Sequence, residues 1–369
     1  MQRKEGVVFI DWLRFIACFM VMIVHSCEPF YLGGEGTMIL NRTNALLVTL
    51  IDSFLRPCVP LFVMASSYLL FPVKGDVGAF YRRRLLRVGV PLIVWVLLYT
   101  VVPLYGSTYE FYKGGAAWGS LLNFPGPAGH LWFVYMIIGI YIVMPIFSPW
   151  IEKAGKKGEQ AFLALWLFTT LVPFLRLAAA GLNGASGIWG EANWNEFGLL
   201  YGVSGFMGYV VLGHYFRTHV GELGWKKTLG VALPMMLAGY GISAGWFWTA
   251  MPKEFPVNAS LDLAVYMETS WGFCTIGTAL NTTGMFMIIR KLHSSGGFYQ
   301  RVVLPVSEVS YGMYLMHIFF LCFYTAVFQQ SITSTLVTIT LTAVCTFVTS
   351  FIVARLLSRI PKIGKYIVG

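Results

Sequence analysis

Asp11, Arg14 and His25 all fall within the apolar run IDWLRFIACFMVMIVHSCEPF, residues 10–30. On a helix turning about 100° per residue, eleven steps bring His25 back to within about 20° of Arg14. Asp11 lies about 60° from Arg14 and about 40° from His25, so the three share one face. Exposing that face to lipid would cost several kcal/mol, so it must turn toward a bundle interior or a watery cavity. Histidine titrates near neutrality, and its neutral ring can take a proton from a hydroxyl, so His25 is the candidate general base. A base needs an orienting partner. Glu28, Asp52 and Glu268 lie at similar depth and all stay open, whereas Asp11 is about 21 Å away along the same helix.

Other apolar stretches also carry reactive side chains. Asp52 and Arg56 stand four residues apart, share a helix face and can pair. Such a pair could hold helices together, or it could place Arg56 to stabilise an oxyanion. Ser310, Tyr314 and His317 follow i, i+4, i+7 spacing and form one polar stripe, lining the same cavity or bonding between helices. His130 opens another apolar stretch. Arg82, Arg83, Arg84 and Arg87 cluster ahead of one more. Guanidinium groups stay charged and grip phosphate bidentately, although such a cluster also serves as a cytoplasmic anchor. The six cysteines show no CxxC or Cys/His ligand spacing, so neither a metal site nor a disulfide framework is expected.

A membrane bundle must position these groups. The 369-residue chain is 57% hydrophobic and 11% charged, against about a quarter charged in soluble domains. Its apolar blocks of about 20 residues match a bilayer core of about 30 Å. The pattern predicts an all-α polytopic membrane protein, one transmembrane domain over residues 1–369, with ten spans at 7–28, 44–71, 88–105, 130–148, 160–180, 198–216, 227–250, 266–290, 306–328 and 332–357. No Gly- or Pro-broken pair of spans in matching halves is evident. With the N-terminus inside, 20 Lys and Arg residues fall on the cytoplasmic side and 3 outside, which sets both termini in the cytoplasm. Arg14, Arg56 and Arg176 lie within spans. The net charge of +10 is therefore a topology signal, and no nucleic-acid partner is expected. The N-terminal run is a retained helix, because Asp11 and Arg14 interrupt it and no small-residue cleavage site follows.

Arg14, ten residues and then His25 match the R/K-x10-H signature of the acyltransferase-3 family, which the chain resembles in four further segments. FLRPCVPLFVMASSYLL (54–70) is similar to the family's second-helix pattern. RRRLLRVGVP (82–91) holds Arg84-x-x-Arg87 ahead of a proline, like its RxxR motif. HLWFVYMIIGIY (130–141) resembles its His-Leu-Trp helix, and SYGMYLMH (310–317) resembles its late Ser-Tyr/Phe-Gly-x-Tyr-Leu-x-His helix. The resemblance covers nearly the whole chain and is strongest to single-domain bacterial O-acetyltransferases. It implies a multi-pass protein of the bacterial cytoplasmic membrane. The donor it implies is a cytoplasmic acyl-CoA, usually acetyl-CoA, and the acceptor is a hydroxyl on a glycan or lipid-linked glycan.

On that resemblance, Arg14, Arg84 and Arg87 would hold the donor's phosphates. The rise of about 16 Å from Arg14 to His25 is comparable to the reach of an extended pantetheine arm. The thioester would then arrive beside His25, which would act as base or as a transient acyl carrier. Arg56 would meet the developing oxyanion. His130, Ser310, Tyr314 and His317 would line the acceptor side. The outward segment GIWGEANWNEF (187–197) mixes aromatic, carboxylate and amide groups suited to sugar rings, which makes Trp189 and Trp194 acceptor contacts; the same aromatics suit an interfacial belt. The alternative is a transporter or exporter of a glycan or small acid. It could use the intramembrane charges but has no need of a phosphate-binding arginine pair.

Overall fold

The computed structural model describes residues 5–33, 36–102, 104, 122–124, 126–184, 187–192 and 195–369. The α-helices among them are α1 (Glu5–Cys27), α2 (Arg42–Leu55), α3 (Cys58–Leu70), α4 (Val77–Arg84), α5 (Val90–Val101), α6 (Trp132–Thr169), α7 (Val172–Asn183), α8 (Met207–Thr218), α9 (Trp225–Ala250), α10 (Leu261–Thr269), α11 (Ile276–Ile289), α12 (Leu304–Ser331), α13 (Thr335–Ser358) and α14 (Gly364–Val368). Eight helical stretches among the described residues are long and apolar enough to cross a membrane, and Val172–Leu182 and Ile276–Ile289 are shorter apolar helices. The protein is an all-α, multi-pass membrane protein. Three short antiparallel strands, β1 (Leu32–Gly33), β2 (Gly36–Ile39) and β3 (Val257–Ser260), form a small sheet in that order.

Local chemistry breaks several of the expected spans. The span expected at 44–71 divides at Arg56–Pro57 into α2 and α3, because proline offers no amide to the helix ladder. The span expected at 266–290 divides around Gly272 into α10 and α11. These breaks correct the reading of uninterrupted helices, although spans two and eight are not matching positions in two five-span halves. The span expected at 88–105 starts earlier. There α4, a π-turn at Leu85–Gly89 and α5 make one stretch from Val77 to Val101, so Arg84-x-x-Arg87 lies within the helix. The Val88 carbonyl in that wide turn accepts the Tyr311 hydroxyl at 2.8 Å.

Helix α6 carries the span expected at 130–148 and the first half of the one expected at 160–180, whose remainder is α7. At Gly155 the backbone takes φ 59° and ψ −177°, a conformation open essentially to glycine alone. Before the break, Trp132 packs on Phe206, with ring centroids 6.0 Å apart. After it, Trp166 donates to the Gly205 carbonyl at 2.9 Å. Both arms therefore reach the same level of the bundle, and the chain doubles back at Gly155. The returning arm is pinned by the buried Glu159, which bonds His214 Nδ1 at 3.0 Å and His219 Nε2 at 2.8 Å. Nothing lies within 4 Å of a Cβ built at Gly155, so Gly155→Ala would strain the backbone alone. That substitution is expected to lower stability by about 1–3 kcal/mol, read as a lower thermal midpoint in nanodiscs. An unchanged midpoint would refute the strained turn.

Helix α1 is central and touches α2, α3, α12 and α13. Phe9, Ile10, Leu13, Ala17 and Met22 on it are essentially inaccessible. Its polar face is also turned inward. The buried Asp11 accepts the Tyr299 and Ser307 hydroxyls, each at 2.6 Å. Fourteen residues later, His25 packs on His317 with ring centroids 5.0 Å apart. Ser307 and His317 both belong to α12, so the polar face of α1 runs along the polar stripe of α12.

Candidate active site

Helix α1 stops at Cys27 and continues into a 3-10 turn, Glu28–Phe30, that contains Pro29. This turn lays Glu28 against the last helical turn, with Oε1 2.8 Å from His25 Nδ1. A carboxylate only accepts, so Nδ1 carries a proton, and in the neutral ring Nε2 holds the lone pair. Of the three partners left open by the sequence, Glu28 is the one against the ring. The two side chains are 18% and 32% exposed, so the pair sits at a rim that a polar reactant can reach.

Two more imidazoles converge there. His130 lies in the 3-10 turn Gly126–Leu131, and His317 comes from α12. Ring centroids are 6.4 Å apart for His25–His130, 5.0 Å for His25–His317 and 4.9 Å for His130–His317. Tyr314, one turn before His317, donates its hydroxyl to the His130 carbonyl and ties the two elements together. Tyr99 packs edge-on to His130 at 5.3 Å and donates to the Leu315 carbonyl at 3.0 Å. Ser310 lies deeper on α12, where it donates to the Ser307 carbonyl at 3.0 Å; it shares the stripe without joining the histidines.

A charged frame stands beside this cluster and begins on the same turn as Glu28. Tyr31 follows that turn and donates to Glu268 Oε1 at 3.0 Å. Arg56 Nη2 donates to the Tyr31 oxygen at 3.1 Å and to Asp52 Oδ2 at 2.9 Å, while its Nε lies 2.8 Å from Asp52 Oδ1. The guanidinium carbon rests 4.9 Å from the Trp271 ring centroid and 5.9 Å from that of Phe273. Trp271 donates in turn to Ser53 Oγ at 2.6 Å. The helix breaks explain this geometry: Arg56 sits at one break and Trp271 and Phe273 at the other. Trp132, of the His-Leu-Trp motif, packs on Phe273 at 5.2 Å.

The remaining expected site residues are spread out. Arg84 is half-buried beside the Phe80 ring at 5.9 Å, Arg87 is exposed and Arg14 is half-buried. Arg14 stands mid-way along α1, eleven residues before His25, and Arg84 and Arg87 precede α5, whose Tyr99 packs on His130. Trp189 stacks on Phe168 at 5.7 Å instead of meeting the histidines, and Trp194 lies outside the described residues. Arg176, read within a span, pairs with Glu191 at 2.7 Å and donates to the Glu196 carbonyl at 2.8 Å, which ties Glu191 and Glu196 to α7. Sequence reasoning missed Tyr99, Tyr31 and Trp271. The first sits in a wholly apolar stretch with no motif to flag it. The last was signalled only by the Gly272 interruption of an otherwise continuous span.

Three imidazoles and a carboxylate stand together in the apolar helical bundle of a multi-pass membrane protein. The chain belongs to the acyltransferase-3 family, whose model, described as an acyltransferase domain, matches residues 7–356. The protein is accordingly a membrane acyltransferase. No curated protein and no solved structure matched the chain.

Proposed function

We propose that the protein moves an acyl group, acetyl in the first instance, from cytoplasmic acyl-CoA to a hydroxyl of an extracytoplasmic or lipid-linked glycan. The observation that carries this reading is the His25–Glu28 pair, held at one end of α1, with Arg14 on the same helix eleven residues earlier. His25 Nε2 takes the hydroxyl proton as the acceptor oxygen bonds to the thioester carbon. The C–S bond then breaks, and the imidazolium returns the proton to the departing CoA thiolate. Glu28 stabilises the imidazolium and fixes the ring tautomer. Arg14, Arg84 and Arg87 hold the donor's phosphates in the cytoplasm, and the axial rise of about 16 Å to His25 is spanned by the pantetheine arm. Asp52 and Arg56 frame the mouth together with Tyr31 and Glu268. His130, Tyr314 and His317 meet the acceptor, with Trp189 at the outer rim.

The test is thiol release from acetyl-CoA by purified protein in nanodiscs, with a membrane glycan extract as acceptor. Release that requires the extract supports the transferase. No binding of acetyl-CoA points to transport, the reading that broken helices would otherwise favour. Arg84→Ala in a folded protein is expected to weaken acetyl-CoA binding about 10-fold or more, since a hydrogen bond to a charged group contributes about 1.5–3 kcal/mol. Unaltered affinity by calorimetry would remove Arg84 from the donor site.

A further inference from the structure

The chain just past α11 carries cations that no acid balances. Arg290 donates Nη2 to the Val220 carbonyl at 2.7 Å. That is the one hydrogen bond its side chain makes among the described residues, and a guanidinium has five N–H groups. Neither Arg290 nor the half-buried Lys291 meets a carboxylate among the described residues. Glu222, 75% exposed, turns instead to His293 at 3.8 Å. By contrast Arg56, Arg176 and Arg355 each hold a carboxylate.

Arg290, Lys291 and His293 line a cleft together with Phe216, Met287, Thr228 and the 220–223 linker. The cleft has about 330 Å³ of empty space, part of it open to solvent. A water takes about 30 Å³ in the liquid, so there is room for a phosphate ester. Helix α9 starts beside it. The N-cap of α9 is Gly224, with no side-chain oxygen on the first amides, and such amides favour an anion. Trp225 is 48% exposed there, and the exposed Lys226 and Lys227 follow it. Tryptophan beside lysine marks the headgroup level of a membrane, and the expected topology makes this the cytoplasmic leaflet. The anion found at that depth is phosphate, which guanidinium and ammonium groups both bind, and basic clefts between helices on that side hold lipid headgroups.

We infer that the cleft between the end of α11 and the start of α9 binds a phosphate ester, either the headgroup of an anionic lipid or a soluble ester of the same chemistry. Its residues belong neither to the histidine cluster nor to the arginines assigned to the donor. The site therefore stands or falls separately from the transferase reading.

The probes are phosphatidylglycerol and inorganic phosphate, offered one at a time to the full chain in nanodiscs of phosphatidylcholine. A bound probe should raise the thermal midpoint and slow hydrogen exchange at the amides of residues 225–227. Lys291→Gln should need about 10-fold more probe for the same rise, since it removes a hydrogen bond to a charged group. Lys291→Arg should restore the response. Lys153→Gln removes an exposed charge that the expected topology puts on the same side and should leave the response unchanged. A response to phosphatidylglycerol alone assigns a lipid headgroup, and a response to inorganic phosphate assigns a soluble ester; either supports the site when Lys291→Gln weakens it. Equal loss in Lys153→Gln and Lys291→Gln would mean diffuse surface attraction and would overturn the site. Unchanged exchange at 225–227 with both probes would also overturn it. That measurement uses the unaltered protein, so it decides even if a variant fails to fold.

Discussion

His25→Ala is expected to cut extract-dependent thiol release by about 10²–10⁴-fold, the usual contribution of a positioned acid–base group. The protein should remain folded, because His25 sits at the rim and, among the described residues, its side chain hydrogen-bonds only the neighbouring Glu28. Acetyl-CoA affinity should change little, since Arg14 stands about 16 Å along α1 from His25 and Arg84 and Arg87 lie on another stretch of helix. Glu28→Gln should also be slow. A glutamine amide can donate toward Nδ1 and hold the ring in the wrong tautomer, with the proton on Nε2. Release within threefold of the unaltered protein in a folded His25→Ala variant would remove the base, and with it the axis of the proposed cycle.

The largest effect on stability is expected at Asp52. It is fully buried and holds Arg56 through two contacts of 2.8 and 2.9 Å. Removing one partner of such a pair typically costs about 3–5 kcal/mol, because the other charge stays buried and uncompensated. Asp52→Ala should therefore lower the thermal midpoint more than Gly155→Ala does. Replacing both partners, Asp52→Leu with Arg56→Met, should recover much of that loss yet leave Tyr31 and Glu268 without their cation. A recovered midpoint with poor transfer would show that the pair serves the mouth of the site. A recovered midpoint with full transfer would make it purely architectural.

The shared face of Asp11 and His25 was legible in the sequence because one unbroken helix carries both, and helix periodicity needs no knowledge of the fold. Glu28 was legible in part: it stands three residues past His25, a spacing that meets on a helix and on the turn that ends it. Its rivals could be set aside only from the fold, where Asp52 and Glu268 turn to Arg56. The stripe of Ser310, Tyr314 and His317 was read correctly as one face. Its length, about 10 Å, means that its ends meet different neighbours, which no spacing reveals. The convergence of His130 on His25 and His317 had no local signal, since it depends on the docking of the 126–131 turn against α12. The breaks in spans two and eight were masked by high hydropathy on both sides of them, although Pro57 and Gly272 mark the places.

His25 and Glu28 meet through three residues of local chain, whereas His130 and His317 join them only when remote segments dock. The first contact needs almost no loop closure, while the others depend on closing long loops. Partial opening of a bundle starts where few contacts hold it, so a loosened protein would lose His130 and His317 from the cluster before it lost the His25–Glu28 pair. On the proposed reading, water would then stand in the acceptor's place, still beside His25. The failure that reading expects is leakage: acyl-CoA hydrolysed with no acylated acceptor to match it. In a detergent preparation, such uncoupled hydrolysis would measure how far the helices have drifted apart.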